Sequence, residues 1–235
     1  MFGRGRFRRE LLVAIAILLV CRPVAAETLH MEPDYQKTEI KATVAEPFGI
    51  LRDHPTATGS FQLIKGEIDG DPDNPAATGH VNLVINATTY DSGSDTRDRA
   101  VISSALETAK YQVIIFDSTG MEDVQIEVPG ISGSATIVGK LTLHGTTRVM
   151  RVPVRVSMTT DGEFSAGGEI TFKYTDFGVK VPRMFFAIPA GDEVTVAFRV
   201  IAQRPGTGTP PPQSRRAPGG IPRPQVRLVA GQRLR

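Results

Sequence analysis

The chain has few of the residues that form disulfides or bind metal ions in small proteins, and few aromatic residues. It has one cysteine, Cys21, no tryptophan, and only 6% aromatic residues among 235. A single cysteine cannot form an internal disulfide or supply the spaced thiolates of a structural zinc site. The four histidines are scattered, and no spacing among them places two on one metal ion. We therefore expect no disulfide framework and no metal site.

Long hydrophobic runs are also missing, but a short one lies at the N-terminus. The apolar run Leu11 to Val20 follows four arginines, and the small residues of Val24-Ala25-Ala26 follow the run. This layout predicts a secretory signal peptide over residues 1–26, with a retained N-terminal anchor as the alternative. Val20 is not the small residue that a lipoprotein signal needs before Cys21. The mature chain is then expected to begin at Glu27, lack cysteine, and be periplasmic or secreted.

The charge is divided between two parts of the chain. Residues 27–203 contain 15 Lys and Arg against 24 Asp and Glu, a net charge of −9, whereas residues 204–235 contain seven Arg and no acid. The basic segment is rich in proline and glycine, so we expect a disordered tail. Two partners are open for it: an anionic membrane surface, or the acidic domain itself. An acidic folded part in an exported protein argues against nucleic acid.

Alternation of apolar and polar residues is the strongest structural signal. Turn residues such as Asp161-Gly162 separate the alternating runs, and this pattern indicates antiparallel pairing. With at least eight such strands, closure into a barrel or a two-sheet sandwich would hide the sheet edges. The alternating runs are 38–45, 61–68, 81–87, 124–128, 135–143, 152–156, 170–174 and 194–200.

One segment, residues 95–110, breaks the alternation and has helical spacing instead. Val101, Ile102, Ala105, Leu106 and Ala109 fall on one helical stripe. We expect a single surface helix whose apolar side covers the barrel. At its start, Asp98 is expected to accept hydrogen bonds from the amides of the first helical turn.

Five stretches, in order, resemble the YceI-like family of lipid- and polyisoprenoid-binding proteins. The resemblance extends over about His30 to Gln203, and only the opening stretch and the residues just after the helix depart from the family pattern. The stretches are Gly59 to Ile68 with the loop Asp71 to Pro75, Ile85 to Asp98, Lys110 to Phe116, Gly139 to Arg148, and Thr175 to Val179.

This resemblance implies an extended, lipocalin-like antiparallel barrel of eight strands, exported to the periplasm. It further implies a long isoprenoid chain or other apolar lipid held inside, with a quinone among the ligands, and no cofactor. Strand parity then selects candidate lining positions, although parity does not separate a lining residue from a core residue. These candidates are Phe61, Leu83, Ile85, Ile126, Leu141, Leu143, Phe172, Phe177, Val196 and Phe198. Met184, Phe185 and Phe186 are candidates to close one barrel end.

The sequence lacks the common motifs of catalytic sites. The sequence contains neither a Gly-x-Ser-x-Gly elbow nor a Ser-x-x-Lys pair. The acidic loop from Asp69 to Asn74 lacks the glycine and the bidentate glutamate of a calcium loop. We therefore expect a non-enzymatic binding protein. The rival hypothesis is a filled barrel that acts in the envelope through its tail or through protein partners. The sequence does not indicate an oligomeric state.

Overall fold

The computed structural model describes residues 28–45, 56–71, 74–128, 132–180 and 191–205. The predicted signal peptide, almost all of the predicted basic tail, and Met184, Phe185 and Phe186 lie outside these residues. Among the described residues, no helix is both long and apolar enough to cross a membrane.

Nine strands form one antiparallel sheet. Their neighbour order is β1-β3-β2-β9-β8-β7-β6-β5-β4, and a further pairing of β3 with β4 closes the sheet on itself. The strands are β1 Leu29–Pro33, β2 Glu39–Ala45, β3 Thr56–Gly70, β4 His80–Asp91, β5 Val113–Val128, β6 Ser132–Leu143, β7 Thr146–Met158, β8 Phe164–Lys173 and β9 Glu193–Gln203.

The closed sheet is an eight-position barrel, because β1 and β2 share one position. Both lie between β3 and β9: β1 pairs with the end of β3 and β2 with its beginning. The predicted all-β, eight-stranded antiparallel barrel is therefore confirmed. Closure leaves each strand position with two neighbours over the central part of the barrel, which removes the sheet edges there.

A tight turn interrupts the shared position between β1 and β2. Asp34 is buried, and its Oδ1 accepts hydrogen bonds from the backbone N–H of Gln36 (3.0 Å) and of Lys37 (3.3 Å). The Thr38 hydroxyl accepts from the Ile201 N–H, and the Asp34 N–H donates to the Ile201 carbonyl. The carboxylate therefore closes the turn, and the Asp34 backbone and the Thr38 hydroxyl hold the turn against β9.

We expect Asp34→Ala to destabilise the barrel by about 1–3 kcal/mol, because it removes the buried acceptor of two backbone donors. Asp34→Asn is the matched control, since its amide oxygen can still close the turn. Urea unfolding of both variants measures the difference. Equal stability of Asp34→Ala and the natural protein would contradict this role.

The predicted helix is present but differs in form from the expectation. Helix α2 spans Asp95–Ala100 and continues as a π-helical turn over Val101–Ala105; a separate helical turn, α1, spans Pro75–Thr78. Asp98 does not serve the amides of α2. Its Oδ1 accepts from the backbone N–H (3.0 Å) and the hydroxyl (2.5 Å) of Ser92, and so fixes the loop that leads into the helix.

Connections alternate between two ends of the barrel. At one end lie α2, the turn at His144-Gly145 and the 3₁₀ turn Tyr174–Phe177; we call it the helix end. At the other end lie α1, the turn between β7 and β8 at Asp161-Gly162, and the end of β9; we call it the hairpin end. The interior between these two ends is the candidate site.

Candidate functional site

The inner face of the barrel is mainly apolar. Residues directly opposite each other on antiparallel strands point to the same face of the sheet. The pairing of each strand with the next therefore identifies the residues that face the interior. Thus Leu83 lies opposite Phe116, which lies opposite Leu141. Likewise Ile170 lies opposite Val196.

Many inner-face side chains keep solvent-accessible surface although they point into the barrel. Leu63 and Phe177 show what full burial looks like here, since each is only 1% exposed. Other inner-face residues, such as Val154 and Val200, are also buried, at 4% and 3% exposed. The interior is therefore less closely packed around the half-buried residues than around these. The half-buried inner-face residues are Phe61, Leu83, Ile85, Ile114, Phe116, Leu141, Met150, Ile170, Phe172, Val196 and Phe198.

Three aromatic rings lie close to a glycine of a neighbouring strand. A Cβ atom on Gly139 would come within 2.6 Å of the Phe116 ring, and one on Gly168 within 2.9 Å of the Phe198 ring. The Tyr90 ring covers Gly59 in the same way and contacts Phe61 at 5.2 Å between ring centroids. A side chain at any of these glycines would collide with the ring, so the glycines fix where the three rings lie.

The sequence-predicted lining residues separate into three groups. Phe61, Leu141, Leu143, Phe172, Phe177 and Val196 join the apolar cluster nearest the helix end, and Phe198 joins the cluster below it. Leu83 and Ile85 face the interior by register. Ile126 stands apart, at the hairpin end, with 58% of its surface exposed. Leu143 and Phe177 are fully buried, which places them in the packed end of the interior.

Parity missed several inner-face residues: Ile114, Phe116, Met121, Met150 and Ile170. Ile170 lay in an alternating run and could have been selected by the same signal. Ile114 and Phe116 belong to the continuous apolar run that opens β5, where alternation gives no signal because Ile115 also lies partly buried on the other face. Met150 was missed because β7 begins at Thr146, earlier than the predicted run.

The helix end is closed by side chains. Val101 and Ala105 of the π-helical turn, and Leu106 directly after it, pack together with Ala87 and Phe177 in one cluster. Phe177 also meets Phe172 edge to face, with ring centroids 5.4 Å apart. Three residues of the expected apolar stripe therefore cover the barrel at this end. Ile102 is not part of this cluster, and Ala109 is exposed beyond the end of the helix.

An ion-paired contact fastens the helix to the barrel. The Nε2 of His144 donates to Oε2 of Glu107 (2.6 Å), and Nζ of Lys180 lies 3.7 Å from Oε1 of the same carboxylate. The ring of Tyr111 packs on His144 with centroids 4.4 Å apart and fills the space over Gly145. Glu107 follows the π-helical turn and His144 forms the β6–β7 turn, so the pair joins the two elements.

This contact gives a pH-dependent prediction. The hydrogen bond from His144, and then the charge of Lys180, hold the pKa of Glu107 below its ordinary value. Because the folded-state pKa is lowered, the carboxylate stabilises the fold above its unfolded pKa, and this contribution disappears as the pH falls through the folded pKa. His144→Asn, which tolerates the positive φ of this turn, removes the ring.

We expect His144→Asn to raise the pKa of Glu107 toward its ordinary value, measured by carboxyl ¹³C NMR titration. The difference in Tm between the two proteins should be largest above pH 5 and shrink on acidification. A gap that stays constant down to pH 3 would contradict the assignment. Thr147→Ser, on the same hairpin, is the control that leaves the pair intact.

Polar groups near the interior are few. Ser118 is buried, and its hydroxyl oxygen accepts a hydrogen bond from the Val81 N–H (2.7 Å). This oxygen is therefore already bonded to the neighbouring strand β4. Arg148 lies opposite Leu141 on the inner-face register, and its Nε and Nη2 donate to the Asp176 carbonyl at 3.2 and 3.1 Å. Among the described residues, no group of three His, Cys, Asp or Glu side chains is placed to hold a metal ion.

Comparison with known proteins now assigns the family. The model of the YceI-like domain matches residues 32–202, most of the chain. The chain belongs to the YceI-like family. The family resemblance carried by the sequence motifs is thereby confirmed. A UPF0312 protein of Shewanella sp. (strain ANA-3) is 33% identical over 129 residues, which are 52% of this chain and 64% of that relative. The chain thus spans less than two thirds of that relative's length.

Solved structures support the same YceI-like fold. Burkholderia cenocepacia BcnA superposes with a TM-score of 0.60 at 22% identity, covering 73% of this chain and 99% of that one. A polyisoprenoid binding domain from Saccharophagus degradans, implicated in plant cell wall breakdown, gives 0.54 at 17% identity, covering 74% and 98%. At these identities the likeness establishes the shared fold.

Proposed function

We propose that this YceI-like protein is an exported, non-enzymatic carrier that holds an isoprenoid or other long-chain apolar lipid inside its barrel. The observation that carries the proposal is the partly accessible, apolar inner face. The name of the Saccharophagus domain, a polyisoprenoid binding domain of the same fold, supports this ligand class. The predicted signal peptide supports a periplasmic or secreted location.

The chemistry of the interior favours a hydrocarbon chain over a polar ligand. Burial of apolar surface contributes about 25 cal/mol per Å², so a chain that buries about 400 Å² gains about 10 kcal/mol before the costs of binding. A polar ligand would lose its hydration and find few partners, because the inner face offers mainly Val, Ile, Leu, Met and Phe. The long axis between the two ends suits an extended chain.

Arg148 is the residue we assign to a polar or anionic head group. It lies at the rim of the helix end, exposed, with its guanidinium oriented by two hydrogen bonds to Asp176. A guanidinium held in this way has further donors for a phosphate or a quinone carbonyl. The apolar wall would then supply affinity, and the rim would set the direction of entry.

The rival hypothesis, a filled barrel without a ligand, predicts buried inner-face side chains. The half-buried Phe172 and Phe198, which point inward, favour the carrier.

Native mass spectrometry of the mature protein tests the carrier directly. The full chain is expressed with its signal peptide, and the periplasmic fraction is purified. We expect an N-terminus at Glu27 and a bound apolar species that organic extraction removes. Delipidated protein should then take up an added isoprenoid quinone at one per barrel. A folded, delipidated barrel that takes up none would overturn the proposal.

A further inference from the structure

The second half of β5 has one open edge within the described part of the chain. Strand β4 pairs with β5 only through Val113 to Asp117, whereas β6 accompanies β5 as far as Val128. From residue 122 to 128, β5 therefore has a neighbour strand on one side among the described residues. Six of these seven residues are exposed. Ile126 and Val128 leave 58% and 45% of their surfaces exposed. The pairing with β6 shifts register on either side of Gln125 and Ile126, so a strand added here would pair mainly with the short stretch around these two residues.

Charge distinguishes among candidate strands for this edge. The segment carries Glu122, Asp123 and Glu127 and no basic residue. Glu122 is ion-paired with Arg151 of β7, so the charge argument rests on Asp123 and Glu127. A second copy paired antiparallel about Gln125 would set Asp123 opposite Glu127, and like charges directly opposite each other destabilise a pair. A strand that is apolar and basic fits the edge better.

One segment of the C-terminal tail has the sequence pattern of such a strand. Gln225–Ala230 reads Gln-Val-Arg-Leu-Val-Ala, lies between Pro224 and Gly231, and has no proline and no acid. Its β-branched and apolar residues alternate in part with Gln225 and Arg227, a pattern typical of a short strand. The remainder of the tail, rich in proline and glycine, has the composition of a linker.

The tail starts at the correct end of the barrel and is long enough. Strand β9 ends at Gln203 at the hairpin end, where the open edge of β5 also lies. The two strands are four positions apart in the barrel, about 19 Å at about 4.8 Å per strand. The twenty residues from Arg204 to Arg223 can reach about 65 Å when extended.

We propose that Gln225–Ala230 adds as an extra strand to the edge of β5 at residues 122–128. Backbone hydrogen bonds supply the pairing, as in other strand-addition complexes, and Arg227 meets the acidic edge. The added strand covers Ile126 and Val128. It also places the basic tail across the hairpin end. The proposal does not depend on the ligand of the barrel.

Hydrogen exchange of the full mature chain, followed by mass spectrometry at low salt, tests the docking. Peptides covering 122–128 and 225–230 should both exchange at least tenfold more slowly than unprotected amides. Leu228→Pro removes a strand donor, so it should abolish protection of 225–230 and lower protection of 122–128 to the level that pairing with β6 alone supplies. Ala217→Pro, in the linker, is the matched control and should leave both protected. Free exchange in both peptides of the natural chain, or unchanged protection in Leu228→Pro, overturns the proposal.

Charge-matched variants separate a specific strand from general attraction between the tail and the barrel. Arg227→Glu should weaken protection at least tenfold more than Arg215→Glu, which changes the net charge equally outside the docking segment. Equal effects of the two variants overturn strand addition. Protection that rises with protein concentration indicates pairing between copies, and protection of 225–230 only with phosphatidylglycerol vesicles indicates a membrane partner. Either result also overturns it.

Discussion

An Ile170→Trp variant should fold normally and bind an apolar lipid at least tenfold more weakly than the natural protein. Ile170 points inward from β8, is half-buried, and lies opposite Val196 on β9. In a lipid-holding barrel, the larger indole occupies space that the ligand would use. In a filled barrel it would instead overpack the interior, at a typical cost of about 1–3 kcal/mol. The variant therefore distinguishes the two hypotheses through binding and stability together.

The control for this variant is one residue away. Glu169 precedes Ile170 on the same strand, points outward and is exposed, so Glu169→Trp should retain full binding. Because the natural chain has no tryptophan, each variant carries a single fluorescent reporter. The indole of Ile170→Trp should emit as a partly shielded group, and that of Glu169→Trp as an exposed one. Normal lipid uptake by Ile170→Trp would contradict the interior site, as would a shared loss of binding in both variants.

The barrel could be predicted because its information is local. Each strand such as Val152 to Val156 carries its own period-2 signal, and turn residues mark its ends. The alternation does not predict which strands pair with each other. The closure of β3 on β4, and the shared position of β1 and β2, depend on long-range pairing that no local period specifies.

The interior was only partly predictable, for a related reason. Parity gives the face of a residue but not its position along the barrel axis. Phe177 and Ile126 were both lining candidates, yet one is fully buried at the helix end and the other is exposed at the hairpin end. The contacts between glycines and aromatic rings could not be predicted from the sequence either. Gly139 and Phe116, for example, lie on different strands and come into contact only when those strands pair.

A Phe177→Ala variant should lose about 3–5 kcal/mol of the free energy of unfolding, the largest stability change we expect from one side chain. Phe177 is 1% exposed, ends the 3₁₀ turn after β8, and packs edge to face on Phe172. It shares a cluster with Leu106 of the helix-end closure and Leu143 of β6. Truncation would leave a cavity at the point where three separate elements meet.

Ile126→Ala is the comparison variant for the loss of unfolding free energy expected of Phe177→Ala. Ile126 was as good a candidate from parity as Phe177, but 58% of its surface is exposed, so its truncation should cost less than about 1 kcal/mol. Urea unfolding at pH 7 measures both. If the helix end is the packed closure and the middle of the barrel is the lipid site, Phe177→Ala should lower stability while delipidated protein still takes up quinone. Equal costs for the two variants would mean that the packed end does not hold the barrel together.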